Sequence, residues 1–350
     1  MQHGNVIASN PIRASGFPLF ARPVRERGIA CEESPVTEPY VRPDVAAFLQ
    51  YLASVPTPRI DQVDPIAARK MASAMSGVAD LPIGPIAVKR DFVMPGPDGD
   101  IPLRLYDARE TRAPGPVIVF FHGGGWVLGD LASYDSACAE IVRALDLPLI
   151  SVGYRLAPEA PWPAAPDDCE AAARWIADAP AALGLQPTSL VLAGDSAGGT
   201  LTIVTAIALR EKPAARPVVA QWAIYPAADM VAHYPSFKAF GSGYLLTEES
   251  MIWFNGHYRP DVTDWRGSPM VADLAGLPPA LVTTASLDPI RDQGRAYVAA
   301  LAQAGVPVSF REARGNIHGF LNMRRAIPSS AKDVADSLAA LKSLLSEIAA

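Results

Sequence analysis

From Val117 onward, short runs of apolar, β-favouring residues alternate with helical stretches, and this alternation leaves the chain few architectures. The runs are Val117 to Phe121, Leu149 to Val152, Leu190 to Ala193, Val218 to Ile224, Ala280 to Thr284 and Val306 to Phe310. Between them lie helical stretches that include Ser133 to Leu145, Asp167 to Ala177, Gly198 to Leu209 and Asp292 to Ala304. A strand that is apolar along its whole length has to be covered on both faces. Helices that cross from one strand to a parallel neighbour supply that cover. Two earlier runs, Ile86 to Val93 and Ile101 to Tyr106, flank the turn Pro97-Asp98-Gly99-Asp100 and predict an antiparallel edge pair. The expected class is α/β, a mostly parallel eight-stranded sheet with helices on both faces.

Two regions break the pattern. Residues 1 to about 43 are rich in Pro, Arg and Gly and read as an irregular lead-in. It is followed by a helix opening at Asp44 and another with Asp64 as N-cap and Pro65 at the first helical position. Between Pro226 and Leu277 the alternation stops. Tyr244, Trp253, Phe254, Tyr258 and Trp265 gather there around a helix expected to start after Thr247. A segment of that length exceeds an ordinary connection and is expected to form part of a lid over the carboxyl edge of the sheet. The expected organisation is a lead-in with part of a helical cap in 1–85, core in 86–225, a cap insertion in 226–277 and core again in 278–350.

Charge and cysteine usage exclude several functions. A formal charge of −6 and a pI near 5.4 oppose binding to nucleic acid or to anionic membranes, which need clustered Lys and Arg. No apolar run is long enough to span a bilayer, and Arg13, Arg22, Arg25, Glu26 and Arg27 interrupt any signal-like h-region near the start. Cys31, Cys138 and Cys169 are odd in number and lack metal-ligand spacing. They read as small buried side chains in a reducing compartment, with one disulfide as the alternative, so the expected location is cytoplasmic.

Two strings carry chemistry. Gly194-Asp195-Ser196-Ala197-Gly198 follows Leu190 to Ala193, and His122-Gly123-Gly124-Gly125-Trp126 follows Val117 to Phe121. A serine hydroxyl is a weak nucleophile at neutral pH. It needs a base, a group that orients the base, and donors aimed at the developing oxyanion. Ser196 on a sharp strand-to-helix turn fits the nucleophile, and the amides of Gly123, Gly124 and Ala197 fit the oxyanion donors. Taken alone, Ser196 could equally be a helix N-cap, and glycines after a strand could cradle a phosphate. The Lys-Ser/Thr of a P-loop and the spacing of a dinucleotide fingerprint are both missing.

Of the five histidines, His318 follows the last strand on a short loop, the position required when acid and base succeed the serine in chain order. His122 heads the glycine loop and reads as a backbone brace, while His3 precedes the serine and His233 and His257 fall in the lid region. Asp288 closes the strand Ala280 to Thr284, and Pro289 restricts its backbone to an extended shape. It is the first choice for the orienting acid, with Asp292 second.

These residues resemble the hormone-sensitive-lipase-like esterases of the α/β-hydrolase superfamily, the bacterial type called family IV. The likeness spans about residues 85 to 325. It rests on His122 to Trp126, on Tyr154-Arg-Leu-Ala-Pro-Glu159 through Pro161 and Trp162 to Asp168, on Gly194 to Gly199, on Ser268-Pro269, on Asp288-Pro-Ile-Arg-Asp292 and on His318-Gly-Phe320. The resemblance implies an α/β-hydrolase fold with a helical cap and a Ser196-His318-Asp288 triad. It also implies hydrolysis of short to medium acyl esters without metal or cofactor, and is compatible with a homodimer. An amidase or a lipase would use the same triad, and a non-catalytic ligand-binding member of the fold is a rival from another class. Arg155, Glu159 and Asp168 are expected to form a buried ion network beneath the site. Asp195 is expected to bond the glycine-loop amides, with direct contact to substrate as an alternative. Trp126, Tyr244, Leu245 and Phe320 are candidates for pocket walls.

Overall fold

A computed structural model describes residues 38–349. The expected irregular lead-in therefore lies mostly outside the described residues, as do Arg13, Arg22, Arg25, Glu26, Arg27 and Cys31.

Eight strands form one sheet: β1 Val88–Gly96, β2 Gly99–Asp107, β3 Gly115–Phe121, β4 Leu149–Val152, β5 Pro187–Asp195, β6 Val218–Ile224, β7 Ala280–Leu287 and β8 Val308–Ile317. Their spatial order is β1-β2-β4-β3-β5-β6-β7-β8. The pairs β1–β2 and β2–β4 are antiparallel, and every pair from β4–β3 to β7–β8 is parallel. The edge hairpin closes at Gly99, which takes a positive φ of 108°.

The helices of the described residues are α1 Pro43–Ser54, α2 Pro65–Ala79, α3 Asp135–Leu145, α4 Ala164–Ala177, α5 Ala197–Glu211, α6 Pro235–Phe240, α7 Glu248–Tyr258, α8 Arg291–Gln303 and α9 Ser330–Ala349. Asp64 caps α2 by accepting the Ile66 and Ala67 amides, and Thr247 caps α7 by accepting from Ser250. The residues of α9 were assigned to no element from sequence, although Val334, Leu338 and Leu341 recur at helical spacing and are buried.

Strand periodicity explains the two cores. Val117, Val119 and Phe121 of β3 face a core shared with α4, α5 and α8 through Cys169, Leu201 and Tyr297. Ile118 and Phe120 face the opposite core, shared with α3 and α9 through Ile141, Val142, Leu338 and Leu341. A central strand buried on both faces thus has to be apolar at every position.

β8 extends seven residues beyond the expected Phe310, through Arg311, Glu312 and Arg314. It is an edge strand whose polar residues hide a period-two signal. The extension carries the chain directly to His318.

Four helices, α1, α2, α6 and α7, lie in the segments 38–85 and 226–277 where the strand–helix alternation is broken. Val45 and Phe48 of α1 pack with Phe240, Leu287 and Ile317, beside the strand ends that bear Asp288 and His318. Arg69 of α2 donates to the Val127 and Ala157 carbonyls at 2.8 Å each, which ties this helix to the loop after the glycine string.

Candidate active site

Ser196 lies between the last residue of β5 and the first of α5, with φ 54° and ψ −120°. An L residue pays to occupy this region, and the surrounding packing holds it there. The turn is possible because Gly194 and Gly198 let backbone meet backbone. A Cβ on Gly198 would collide with the carbonyl oxygens of Phe121 and His122.

Three side chains from three strand ends meet at this turn. His318 Nε2 is 2.8 Å from Ser196 Oγ, and His318 Nδ1 is 2.7 Å from Asp288 Oδ2. Asp288 is fully buried, and its other oxygen accepts the Ile290 amide at 2.9 Å. An ionised carboxylate can only accept, so Nδ1 carries the proton and Nε2 is free to accept from the serine hydroxyl. Asp292, the second choice for the acid, is instead held by Arg291, Arg295 and the Ser236 amide. It does not reach the histidine.

The glycine loop differs from the sequence reading in one respect. The Gly123 amide donates to Asp195 Oδ1 at 2.8 Å and also to the Tyr134 hydroxyl at 3.0 Å, so it is not available to a substrate oxygen. The amides of Gly124, Gly125 and Ala197 find no acceptor among the described residues. Gly124 and Gly125 take φ of 112° and 60°, which glycine alone adopts readily. Spacing identifies the loop, but it cannot say which of three consecutive N–H groups turns inward.

His122 acts as the expected brace. Burial holds its pKa down to about 4, so the ring is neutral at physiological pH. Its Nδ1 lies 2.8 Å from the Gly123 carbonyl, and the ring stacks on Tyr154 at 4.3 Å. Asp195 also bonds the loop as expected, and does not project toward substrate. Burial pushes its pKa up to about 6 against hydrogen bonds from Tyr134 and Tyr225.

Several candidate pocket walls belong to the core instead. Trp126 is buried and stacked face to face on Tyr258 at 4.3 Å with the planes 2° apart. Phe320 is 1% exposed and packs edge-on against Tyr225. Tyr244 and Leu245 are half-buried against Phe240 and the α1 cluster. The ion network also divides. Arg155 forks onto the buried Asp168 and reaches Asp98, whereas Glu159 is exposed and pairs with Arg69 of α2.

An open cavity of about 760 Å³ adjoins the glycine loop. Ala72 and Ser76 of α2, Gly124, Leu128, Tyr134 and Asn322 are among its walls. Among the described residues no cluster of His, Cys, Asp or Glu could hold a metal ion. Tyr134 and Tyr225 had no sequence signal, because only the fold brings them to the motif.

A serine on a strained strand-to-helix turn, with histidine and aspartate on later strand ends of a parallel sheet, defines an α/β hydrolase. The chain belongs to the alpha/beta hydrolase fold family, which it matches over residues 118–322, and within it to the hormone-sensitive-lipase-like branch. The carboxylic ester hydrolase LipN of Mycobacterium tuberculosis is 40% identical over 268 residues, covering 74% of this chain and 71% of LipN. An ethyl acetate hydrolase of Pseudomonas putida is 35% identical over 81% of this chain and 92% of its own. Among solved structures, an alpha/beta hydrolase from the metagenome of Lake Arreo superposes with a TM-score of 0.84 at 34% identity, over 88% of this chain and 99% of that one.

Proposed function

We propose that this carboxylic ester hydrolase works through an acyl-serine intermediate, with Ser196 as nucleophile, His318 as general base and then acid, and Asp288 as the group that orients the imidazole. Ser196 Oγ attacks the ester carbonyl as its proton moves to His318 Nε2, and the buried Asp288 carboxylate stabilises the imidazolium. The amides of Gly124, Gly125 and Ala197 receive the oxyanion. His318 returns the proton to the leaving alkoxide, and water activated by the same nitrogen releases the acid and frees the serine. The observation that carries this reading is the continuous relay from Asp288 through His318 to Ser196, at 2.7 and 2.8 Å.

Short to medium acyl esters are the proposed substrates, and residues 38–85 and 226–277 the proposed cap. The likeness to an ethyl acetate hydrolase, 35% identical over 81% of this chain, supports substrates of that class. The buried thiols Cys138 and Cys169 support a reducing, cytoplasmic location. Replacing Ser196 by Ala should abolish hydrolysis of a short-chain p-nitrophenyl ester and leave the fold unchanged. Wild-type protein should take up one equivalent of a fluorophosphonate at Ser196. Activity retained by the folded Ser196→Ala variant would reject the mechanism.

A further inference from the structure

We propose that Asp195 is a positioning residue that locks the oxyanion loop, the nucleophile turn and the ring behind the catalytic histidine into one unit. The proposal rests on the triad reading given above and adds a role that the triad does not contain.

Asp195 touches no reacting atom. It is the last residue of β5, and its carboxylate is buried among groups of the protein interior. There Oδ1 accepts the Gly123 amide at 2.8 Å, and Oδ2 accepts the hydroxyls of Tyr134 at 3.1 Å and Tyr225 at 3.2 Å. Close approach is a condition of this arrangement. A Cβ on Gly123 would stand 2.7 Å from Asp195 Oδ2 and 2.8 Å from the Tyr134 hydroxyl.

Two successive peptide planes of the glycine loop are thereby fixed. Asp195 holds the plane between His122 and Gly123 through its N–H. His122 Nδ1, the protonated nitrogen in this arrangement, holds the next plane through the Gly123 carbonyl at 2.8 Å. In a trans peptide the N–H lies opposite the C=O. The Gly124 amide is therefore turned away from His122, and its direction is set before any substrate arrives. Preorganised donors of this kind cost no rearrangement when charge develops, which is where their catalytic value comes from.

The second arm reaches the histidine. The Tyr225 ring packs against the His318 ring at 4.7 Å, and its hydroxyl accepts the Leu321 amide at 3.4 Å. One carboxylate thus joins the loop that binds the oxyanion to the segment that carries the base. Tyr134 and Tyr225 are pushed far above the usual phenol range by burial and remain hydrogen donors.

The test compares kcat and KM for p-nitrophenyl acetate in wild type, Asp195→Ala, Asp195→Asn and a Tyr134→Phe/Tyr225→Phe double variant, with circular dichroism to verify folding. Asparagine still accepts the Gly123 amide and can donate to a tyrosine oxygen, so it should restore the loop. Asp195→Ala should lower kcat about 100-fold, the scale of one lost oxyanion donor, with KM changed less than about threefold. Asp195→Asn should return kcat to within about tenfold of wild type, and the double tyrosine variant should fall between the two. Should Asp195→Ala fail to fold, the Asn and double-tyrosine variants carry the test. A kcat within threefold of wild type in folded Asp195→Ala, or in the double-tyrosine variant where the alanine variant does not fold, overturns the proposal. So does an Asn variant no better than Ala. Failure of the triad reading looks different: wild type would then not be labelled at Ser196 by the fluorophosphonate.

Discussion

Arg324 offers the sharpest stability test, because it is a buried cation with one main partner. It is 4% exposed and lies six residues after His318. Its Nε and Nη2 donate to the two oxygens of Asp80 at 2.8 and 2.7 Å, and its own amide donates to Asp80 at 3.2 Å. Asp80 ends α2 and is itself 5% exposed. Changing Asp80→Leu strands the guanidinium. Only Ser136 Oγ at 2.8 Å and Glu140 at 3.9 Å would remain near it. Removing one partner of a buried pair costs about 3–5 kcal/mol, and Glu140 lies too far to recover much of it. With an unfolding entropy of about 2 cal/mol/K per residue over 350 residues, the melting midpoint should drop by about 4–7 °C. Arg324→Met should cost a similar amount by stranding Asp80. The double variant removes both charges and should lie only about 1 kcal/mol below wild type, mainly for the lost Arg324 amide bond. Thermal unfolding of the four proteins closes the cycle. A single variant within 1 °C of wild type, or a double variant as low as the sum of the singles, would refute the reasoning.

Two further outcomes follow from the site. Asp288→Asn keeps the shape but presents the wrong group to Nδ1 and removes the charge behind the imidazolium. It should lower kcat by roughly 10³–10⁴-fold with the melting midpoint little changed, as steady-state kinetics on a p-nitrophenyl ester would register. The second concerns pH. His122, held near 4 against an ordinary 6.5, gives stability that is complete above pH 6.5 and disappears as pH falls towards 4. Asp195, pushed up to about 6 from 3.8, has the opposite sign and gains stability as pH falls from 6 towards 4. At about 1.4 kcal/mol per pH unit, each is worth roughly 3 kcal/mol and they nearly cancel. Asp195→Asn should therefore lose roughly 3 kcal/mol relative to wild type between pH 6.5 and 4 in urea titrations; parallel curves would exclude this pairing.

The parts of the fold that read well from sequence were those set by local chemistry. β4 and β6 match their apolar runs to the residue, because both strands are largely apolar and bounded by turn residues, with Ser151 and Gln221 the single polar exceptions. The serine, histidine and aspartate chosen from their order on strand ends are the three that meet. What failed depended on neighbours distant in the chain. Trp126 and Phe320 sit inside active-site motifs, yet Tyr258 and Tyr225 decide that they are core. Glu159 belongs to a motif with Arg155, but its partner is Arg69 in a helix 90 positions earlier. The Gly123 amide is adjacent to the free donors and is occupied by a carboxylate 72 positions away. Periodicity and spacing carry no information about such pairings.

The same long-range ties connect the segment that opens the described chain to His318. Arg42 forks onto Asp333 at 2.6 and 2.8 Å, donates to the Arg314 carbonyl at 2.7 Å, and shares Asp333 with the Asn316 amide group. Asn316 lies two residues before His318. Asp80 grips Arg324 on the other side of the histidine. Residues before the first strand thus hold the His318 segment from both ends, although none of them is bonded to the imidazole. Ser196 and Asp288 need no such help, since each stands where a central strand ends and a helix begins, with backbone packed on every side. His318 follows an edge strand that has one neighbour in the sheet. The clamps from Arg42 and Asp80 supply the restraint that a second neighbouring strand would otherwise give.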